Sequence, residues 1–283
     1  MKITVSDNIC VKGMATTCGS KMLAGYIAPY SATVVERLVA AGAVVEGRIP
    51  MDEFRGSGVI SLGGDVGLYT TSALIPRDGL ILTSSINRIK IVAASPEQCG
   101  IILGIIADAG REIPCEPPNF KSAPLDLDSL PSLKYSLAAQ NIIVCAETAS
   151  NLGKFDGMRY GFRAECNGSF DEQVKQTRSE GFGEEVKKRI LLGNYMTLKD
   201  NYDKYYKKAL IIREQIKREF AQIFEDNDSI PLSKEGDGET VWALLCAANL
   251  AGLPVMTIPG YTFVGKPFCE LQLIAAAKEV LGI

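Results

Sequence analysis

The sequence predicts an α/β fold, in which helices and strands alternate along the chain and helices cover a central sheet. Three observations support this prediction. The chain has 283 residues, of which 47% are hydrophobic, so it is long enough to bury a large core. Stretches with helical and strand-like hydrophobic periods follow one another. No repeat of about 20 to 50 residues interrupts them.

The chain opens with a β-α-β pattern. Residues 3–5 are a short β-prone start. A helix is predicted from Ser31, which would cap its first turn, to Gly42, which is a typical stop signal. Residues 43–45 then have the composition of a buried strand. This order predicts two strands joined by an amphipathic helix.

A further helix and a proline-rich connector follow. Ser95 and Gln98 form a capping box with Pro96 at the first helical position, which predicts a helix that ends at Gly110. Residues 111–132 contain five prolines, so they can form neither a helix nor a central strand. We interpret them as a surface connector within a single domain, residues 1–283, between an N-terminal α/β segment and a more helical C-terminal segment.

The C-terminal segment is mainly helical. Residues 133–152 are strongly apolar, and a long helix with a mixed-charge outer face is predicted farther on. Residues 239–251 are predicted as a helix, and residues 255–258 and 269–274 as strands. The apolar face of the long helix contains Tyr202, Tyr205, Ala209, Ile212, Ile216, Phe220 and Ile223.

The absence of histidine limits the possible chemistry more than any other feature of the composition. It excludes Ser-His and Cys-His nucleophiles, imidazole metal ligands and the usual general base near neutral pH. Lysine and arginine number 30 and acidic residues 33, which gives a net charge of −3 without any basic block. Direct nucleic-acid binding is therefore not expected, and neither a metal nor a cofactor is predicted.

The eight cysteines lie far apart and form no CxxC pair. We interpret them as reduced core thiols, which are typical of a cytoplasmic protein. The first ten residues lack the apolar region of a secretory leader. The longest apolar run, residues 241–256, is too short and too interrupted to cross a bilayer, so no membrane association is expected.

Glycines and small hydroxyl residues are concentrated between residues 55 and 67. Such a loop could hold an anion or an oxyanion, but the motif is weak and we interpret it as an ordinary turn. It lacks the Lys-Ser/Thr ending of a phosphate-binding loop and the full dinucleotide fingerprint. In a chain without histidine, a Ser-Lys couple would be the natural hydrolytic device, but sequence separation alone does not reveal one.

Several short segments, spread in order over nearly the whole chain, carry a family resemblance. They are DNICVKGMATTCGSKML (residues 7–23), ATVVERL (32–38), MDEF (51–54), SSI (84–86), AE (146–147), FDG (155–157), RYG (159–161), TRSEGFG (177–183) and NLAGLP (249–254). These segments resemble the amidase-signature family, and within it the A subunits of tRNA-dependent glutamine amidotransferases. The resemblance implies a reduced amidase-signature fold with a mixed β-sheet core covered by helices.

The same resemblance implies that the family's three catalytic groups are replaced. Such enzymes use a lysine, a bridging serine and a nucleophilic serine, and these positions are occupied by Ser6, Gly64 and Tyr69. The N-terminal helical segment of the family, and a Gly/Ser-rich loop after Phe54, are expected to be absent. Tyr160 and Arg189 fall at substrate-binding positions, although Arg189 equally fits a cation on a helix surface.

These replacements predict a catalytically inactive amidase-like protein, a truncated pseudoenzyme that acts as a binding or scaffold module. It would dock onto amidotransferase-like partners or associate with itself. The alternative is an amidase or amidotransferase-type hydrolase with relocated catalytic residues, and a third alternative is a decaying paralogue without a selected role. The relocated nucleophile would come from Ser57, Ser61, Tyr69, Thr70, Thr71 or Ser72, and the nearby cations are Lys12, Arg55 and Arg77.

Loss of family segments also predicts a newly uncovered apolar surface. We expect it at the edge formed by residues 1–5 and along residues 69–75. The alternative is that these side chains fill the vacated pocket and are buried.

Overall fold

A mixed sheet of eight strands forms the centre of the computed structural model, which describes residues 1–108, 122, 124–233 and 238–282. The order across the sheet is β2-β1-β3-β5-β4-β7-β8-β6. The pairs β1/β2 and β3/β5 are parallel and the others are antiparallel, so the predicted α/β fold with a mixed sheet is confirmed. The strands are β1 (Lys2–Ser6), β2 (Val44–Ile49), β3 (Gly58–Ser61), β4 (Val66–Tyr69), β5 (Ile89–Ala93), β6 (Ser229–Ser233), β7 (Val255–Ile258) and β8 (Tyr261–Gly265).

Helices cover both faces of this sheet. Leu68 and Met256 point into a core with α1, α2 and α9, whereas Tyr69 and Val255, their neighbours along the strands, pack with α3, α7 and α8. Successive strand residues point to opposite faces, which accounts for the two cores. The helices are α1 (Thr33–Ala40), α2 (Pro96–Ile106), α3 (Ser136–Asn151), α4 (Phe170–Gly181), α5 (Glu184–Thr197), α6 (Lys199–Tyr202), α7 (Tyr206–Asp226), α8 (Gly238–Ala251) and α9 (Glu270–Leu281).

A third apolar cluster lies beside the sheet, around three phenylalanines. The ring of Phe54 is 5.4 Å from that of Phe155 and 6.1 Å from that of Phe182, between ring centroids. All three side chains are buried. This cluster joins the loop after β2 to the ends of α4 and α5.

Local sequence signals predicted several elements correctly. Ser95 caps α2 by accepting a hydrogen bond from the backbone N–H of Gln98, and Pro96 is the first helical residue. The predicted elements at residues 43–45, 239–251 and 255–258 correspond to β2, α8 and β7. These signals act within one turn of a helix or along one strand, so they can be recognised without knowledge of the fold.

Three element predictions need correction. Residues 269–274 are not a strand: Cys269 precedes α9, whose buried residues recur at helical spacing over a length that the short apolar window concealed. The cap position of α1 is Ala32, which makes no side-chain capping hydrogen bond, rather than Ser31. The long helix is divided, because α6 ends at Tyr202 and α7 begins at Tyr206.

Only part of the proline-rich connector belongs to the described residues. Ser122 forms a bridge with Ser229 beside β6, and residues 127–129 form one turn of 3-10 helix. The rest of the connector, at residues 111–121 and 123, lies outside the described residues, as does the predicted helix end at Gly110. The strands that precede the connector and those that follow it belong to one sheet, because β4 pairs with β7.

Seven cysteines are free thiols, and all except Cys166 are buried, as predicted for core thiols. Cys115 lies outside the described residues. Burial raises the pKa of Cys99 to about 12 and that of Cys269 to about 11, so both are protonated thiols at neutral pH. Among the described helices none is long and apolar enough to cross a membrane, and no metal-binding cluster was found in the same part of the chain.

The large aliphatic side chains of this segment, Leu74 and Ile75, are buried rather than exposed, as is Leu68 just before it. Leu68 and Leu74 have no exposed surface, and Ile75 is 6% exposed. These side chains fill the interior, which is the alternative expectation. The predicted exposed apolar surface therefore does not occur along this segment. Exposed apolar and aromatic side chains instead gather on α5, α6 and the start of α7, a surface we call the α5–α7 patch: Leu191, Tyr195, Leu198, Tyr202 and Tyr205.

Candidate functional site

Ser6, at the position implied for the family's lysine, ends strand β1 and is buried. Its hydroxyl donates a hydrogen bond of 2.6 Å to Oδ1 of Asn8 and accepts one of 2.7 Å from the backbone N–H of Val59 on β3. The first bond reaches the turn after β1 and the second reaches β3. The side chain therefore joins β1 to β3, and its proton is used in the bond to Asn8.

Gly64 and Tyr69 lie at opposite ends of β4. Gly64 precedes the strand in a turn with φ +104°, and Tyr69 is the last strand residue. The strand itself, Val66 to Tyr69, spans about 10 Å between them. A Cβ atom on Gly64 would lie 2.5 Å from the carbonyl oxygen of Ala93, so the turn fits tightly against the end of β5.

The sheet register also separates Ser6 from Tyr69. Ser6 bonds to Val59, Val59 pairs with Lys90, and Lys90 pairs with Tyr69. Three strand spacings of about 4.8 Å place the two residues about 14 Å apart. The structure thus brings none of the three positions assigned to the catalytic groups into contact with another.

Tyr69 is a packing residue with a cationic neighbourhood. Its ring belongs to the core formed with α3, α7 and α8. The guanidinium carbon of Arg88 lies 5.6 Å and the amine of Lys90 lies 5.2 Å from the ring centroid. Burial raises the pKa of the Tyr69 phenol, with Arg88 opposing the shift, so the phenol is protonated at neutral pH.

Tyr160 and Arg189, the two implied substrate-binding residues, flank the phenylalanine cluster. The Tyr160 ring is perpendicular to that of Phe155, with centroids 5.8 Å apart, and 47% of the residue is exposed. Arg189 donates hydrogen bonds to the carbonyl oxygens of Glu53 and Phe54. Arg189 therefore joins α5 to the loop after β2, and its role toward a substrate stays a prediction.

Three of the candidate hydroxyls for relocated catalysis are used in other contacts. The Ser57 hydroxyl accepts a bond from the backbone N–H of Arg88, and the Ser61 hydroxyl accepts one from Gly63. The Thr71 hydroxyl accepts one from the backbone N–H of Phe268. The candidate cations are directed elsewhere, since Lys12 is exposed, Arg55 pairs with Asp52, and Arg77 bonds to the carbonyl oxygens of Ser85 and Asn87.

Sequence reasoning missed a buried pair of charges beside Tyr69. Arg88 donates to the carbonyl oxygen of Thr70, and Glu270 accepts a 2.6 Å bond from the backbone N–H of Thr71. These two backbone groups belong to the same peptide unit, which is held between a cation and an anion. Burial lowers the pKa of Arg88 to about 10 and raises that of Glu270.

The Arg88 side chain also fixes the junction between α8 and β7. It donates to the carbonyl oxygen of Leu253 and, over 3.0 Å, to Oδ1 of Asn249. The only sequence signal for this residue is an arginine placed directly before an apolar strand, where a buried charge would be unusual. Its partners are 161 and 165 residues away along the chain, so the sequence could not indicate them.

Glu147 organises a second polar site at a surface pocket. Its carboxylate accepts hydrogen bonds from both side-chain hydroxyls of Ser84 and Ser85 and from the backbone N–H of Ser85. Arg213 donates to the Ser85 hydroxyl over 3.0 Å. The adjoining pocket has a volume of about 270 Å³ and is lined by Ala146, Glu147, Ser150, Asn151, Thr197 and Tyr206.

Comparison with known proteins agrees with this architecture. The family model described as Amidase matches residues 1–91 and 123–233. The A subunit of the glutamyl-tRNA(Gln) amidotransferase of Symbiobacterium thermophilum is 31% identical over 394 positions, which cover 97% of this chain and 81% of the relative. The corresponding protein of Archaeoglobus fulgidus is 32% identical over 387 positions, covering 98% of this chain and 85% of the relative.

The chain belongs to the amidase family. Its resemblance to the A subunits of tRNA-dependent amidotransferases, inferred from the sequence motifs, is confirmed. Two solved structures share the fold of this amidase-family chain: the glutamyl-tRNA(Gln) amidotransferase A subunit from Thermotoga maritima, with a TM-score of 0.67 and 21% identity, and an amidase with a TM-score of 0.70 and 18% identity. Both align with 99% of this chain and with 82% and 83% of their own lengths.

This amidase-family chain is shorter than the span it shares with its relatives. Its alignment with the Symbiobacterium protein runs over 394 positions, whereas the chain has 283 residues, so at least 111 positions of the relative face gaps. These gaps lie inside the aligned span.

Proposed function

We propose that this amidase-family chain is catalytically inactive and acts as a binding or scaffold module in an amidotransferase-related assembly. The observation that supports this most strongly is the separation of the three positions assigned to the family's catalytic groups. Ser6 is bonded within the sheet, and Gly64 and Tyr69 lie at opposite ends of one strand. A lysine, a bridging serine and a nucleophile must lie within hydrogen-bond reach of one another to act together.

The cavity lined by Thr70 and Thr71, which follow Tyr69 in the chain, and by Arg88 supports the same proposal. Its volume is about 10 Å³, which is room for about one water molecule. A carboxamide substrate is much larger. Loss of catalytic members in serine hydrolases lowers the rate by roughly 10⁴ to 10⁶, and no candidate hydroxyl bonds to Lys12, Arg55 or Arg77 in the described part of the chain.

Hydrolysis assays test the absence of catalysis. The purified protein is expected not to release ammonia from glutamine or asparagine, not to cleave aryl amides, and to stay unlabelled by a fluorophosphonate probe. An amidase rate that survives repurification and is lost in Thr70→Ala or Ser72→Ala would overturn the proposal and favour the relocated enzyme. The matched control is Ser95→Ala, a hydroxyl loss at the cap of α2.

Restoring the family's residues provides a second test. The triple variant Ser6→Lys, Gly64→Ser, Tyr69→Ser is expected to gain no turnover. A side chain at Gly64 would meet the backbone of Ala93 and Ala94, and geometry errors of about 1 Å already cost about 10²-fold in rate. Substantial turnover by this variant would show that a competent pocket persists.

The α5–α7 patch is the surface we assign to the partner. Leu191 is 69%, Leu198 57% and Tyr195 51% exposed, and their spacing places them on neighbouring turns of α5 and its end. Relatives of this chain are named as subunits of glutamyl-tRNA(Gln) amidotransferase. Another polypeptide of such an enzyme is therefore the occupant that we propose for the patch.

Size exclusion with light scattering tests this assignment. The protein should form a complex of defined mass with the other amidotransferase subunits from its own source, and Leu198→Glu should abolish it. Val39→Glu is the control, because Val39 is 52% exposed on α1, which packs on the other face of the sheet. A monomer that binds none of these subunits, tested in the micromolar range, would refute the assembly role, and a homodimer would replace it with self-association.

A further inference from the structure

A small cavity lies between the end of β4, the start of β5 and the segment that connects them. Its volume of about 10 Å³ admits one particle of about the size of a water molecule. Four of its lining residues are polar and five are apolar, so most of its wall cannot hydrogen bond. The polar residues are Thr70, Thr71, Arg77 and Arg88, and the apolar ones are Ala73, Ile75, Leu80, Leu82 and Ile89.

Arg88 has unused hydrogen-bond donors at this cavity. A guanidinium group carries five N–H donors. Two from Nη1 bind the carbonyl oxygens of Thr70 and Leu253, and one from Nη2 binds Asn249. The buried Nε has no hydrogen-bond partner. The Nε–H and one Nη2–H, on two nitrogens of the same planar group, therefore remain available.

The two cations that line this cavity have no directly bound anion in the described part of the chain. Arg77 and Arg88 both line it, and within the described residues neither forms a salt bridge. Arg77 binds only carbonyl oxygens. Glu270 reaches the opposite side of the Thr70–Thr71 peptide rather than the guanidinium itself. Glu270 opposes the charge of Arg88 only across this peptide, so an anion in direct contact would stabilise the buried guanidinium further.

We propose that this cavity binds one halide ion, chloride under ordinary conditions, on the Nε–H and Nη2–H donors of Arg88. Thr70 and Arg77 complete its polar surroundings. The small volume favours a monatomic anion over phosphate or a carboxylate. A water molecule would also fit, and the bromide experiment separates the two. Because Arg88 also holds Thr70, Leu253 and Asn249, the ion would stabilise the junction of β4, β5 and β7.

Bromide replaces chloride at such sites and can be located by its anomalous scattering. A crystal of the whole protein grown in sodium bromide should show an anomalous peak within hydrogen-bond distance of the Arg88 Nε. Electron density of a water molecule without anomalous signal at this position would overturn the proposal. The result does not depend on whether the protein is catalytically inactive.

Thermal unfolding provides the solution test. Chloride or bromide, exchanged for gluconate at constant ionic strength, should raise the melting temperature in a saturable way. At ten times the Kd the unfolding constant falls about 11-fold. A change that is linear in salt concentration without saturation reflects general salt effects and would refute the site.

Variants separate the site from the rest of the protein. Arg88→Gln should remove the saturable rise in melting temperature with chloride or bromide. Leu82→Phe, which leaves Arg88 in place and fills the cavity, should remove it as well, so the test holds even if Arg88→Gln fails to fold. Arg37→Gln is the control, since Arg37 binds Asp108 and two carbonyl oxygens elsewhere, and it should keep the increment. Retention of the increment by Leu82→Phe would contradict the proposal.

Discussion

Replacing Gly193 by alanine should weaken the packing of α5 against α3. A Cβ atom at this position would lie 2.1 Å from the carbonyl oxygen and 2.6 Å from the carbonyl carbon of Cys145. Both atoms belong to the main chain of α3, so no side-chain rotation can relieve the contact. The interface also positions Glu147, on α3, and Arg189, on α5.

The size of the effect follows from these distances. A carbon and a carbonyl oxygen are normally at least about 3.3 Å apart, so the helices would have to separate by about 1.2 Å. Overpacking of this kind costs about 1 to 3 kcal/mol, and an obstructing main chain favours the upper end. The gain of about 1 kcal/mol from replacing a helical glycine by alanine opposes it. We expect a net loss of about 2 kcal/mol, or about 4 to 8 °C in Tm.

Gly104 in α2 supplies the matched control. A Cβ atom there would meet no other atom within 4 Å, so Gly104→Ala should stabilise the protein by about 0.5 to 1 kcal/mol. Urea and thermal unfolding followed by circular dichroism measure both variants. Equal stabilisation by the two substitutions would refute the close approach of α3 and α5.

Two further predictions concern buried polar groups. Ser6→Ala should lower the free energy of unfolding in urea by about 2 to 3 kcal/mol, because it leaves the Asn8 carboxamide and the Val59 N–H without their partner. An unchanged urea midpoint would contradict the role of Ser6 in joining β1 to β3. Burial raises the pKa of Glu270 above its ordinary 4.5, so the folded state keeps this proton to higher pH than the unfolded state. Stability from this group is complete below about pH 4.5 and is lost as the pH rises through the folded-state pKa. Urea unfolding from pH 4 to 8 measures this effect. The free energy of unfolding should fall less with rising pH in Glu270→Gln than in the unmodified protein. Parallel pH profiles for the two proteins would exclude the Glu270 carboxyl as the source of the fall.

The sequence by itself determined the features that rest on neighbouring residues. The start of α2 follows from Ser95, Pro96 and Gln98, because a capping hydrogen bond spans three residues. The family follows from segments such as residues 7–23 and 177–183, whose order and identity survive the loss of intervening chain. The α/β class follows from hydrophobic periods, which are also local.

Only the tertiary structure decided the features that depend on register and burial. The short apolar window at residues 269–274 fits a strand, but packing against β7 and β8 places it in helix α9. The separation of Ser6, Gly64 and Tyr69 depends on which strands pair, since β5 lies between β3 and β4 although it follows both in the chain. Arg88 and Glu270 meet one peptide group from positions 182 residues apart. Such contacts depend on chain closure over long loops, and no local pattern of residues encodes them.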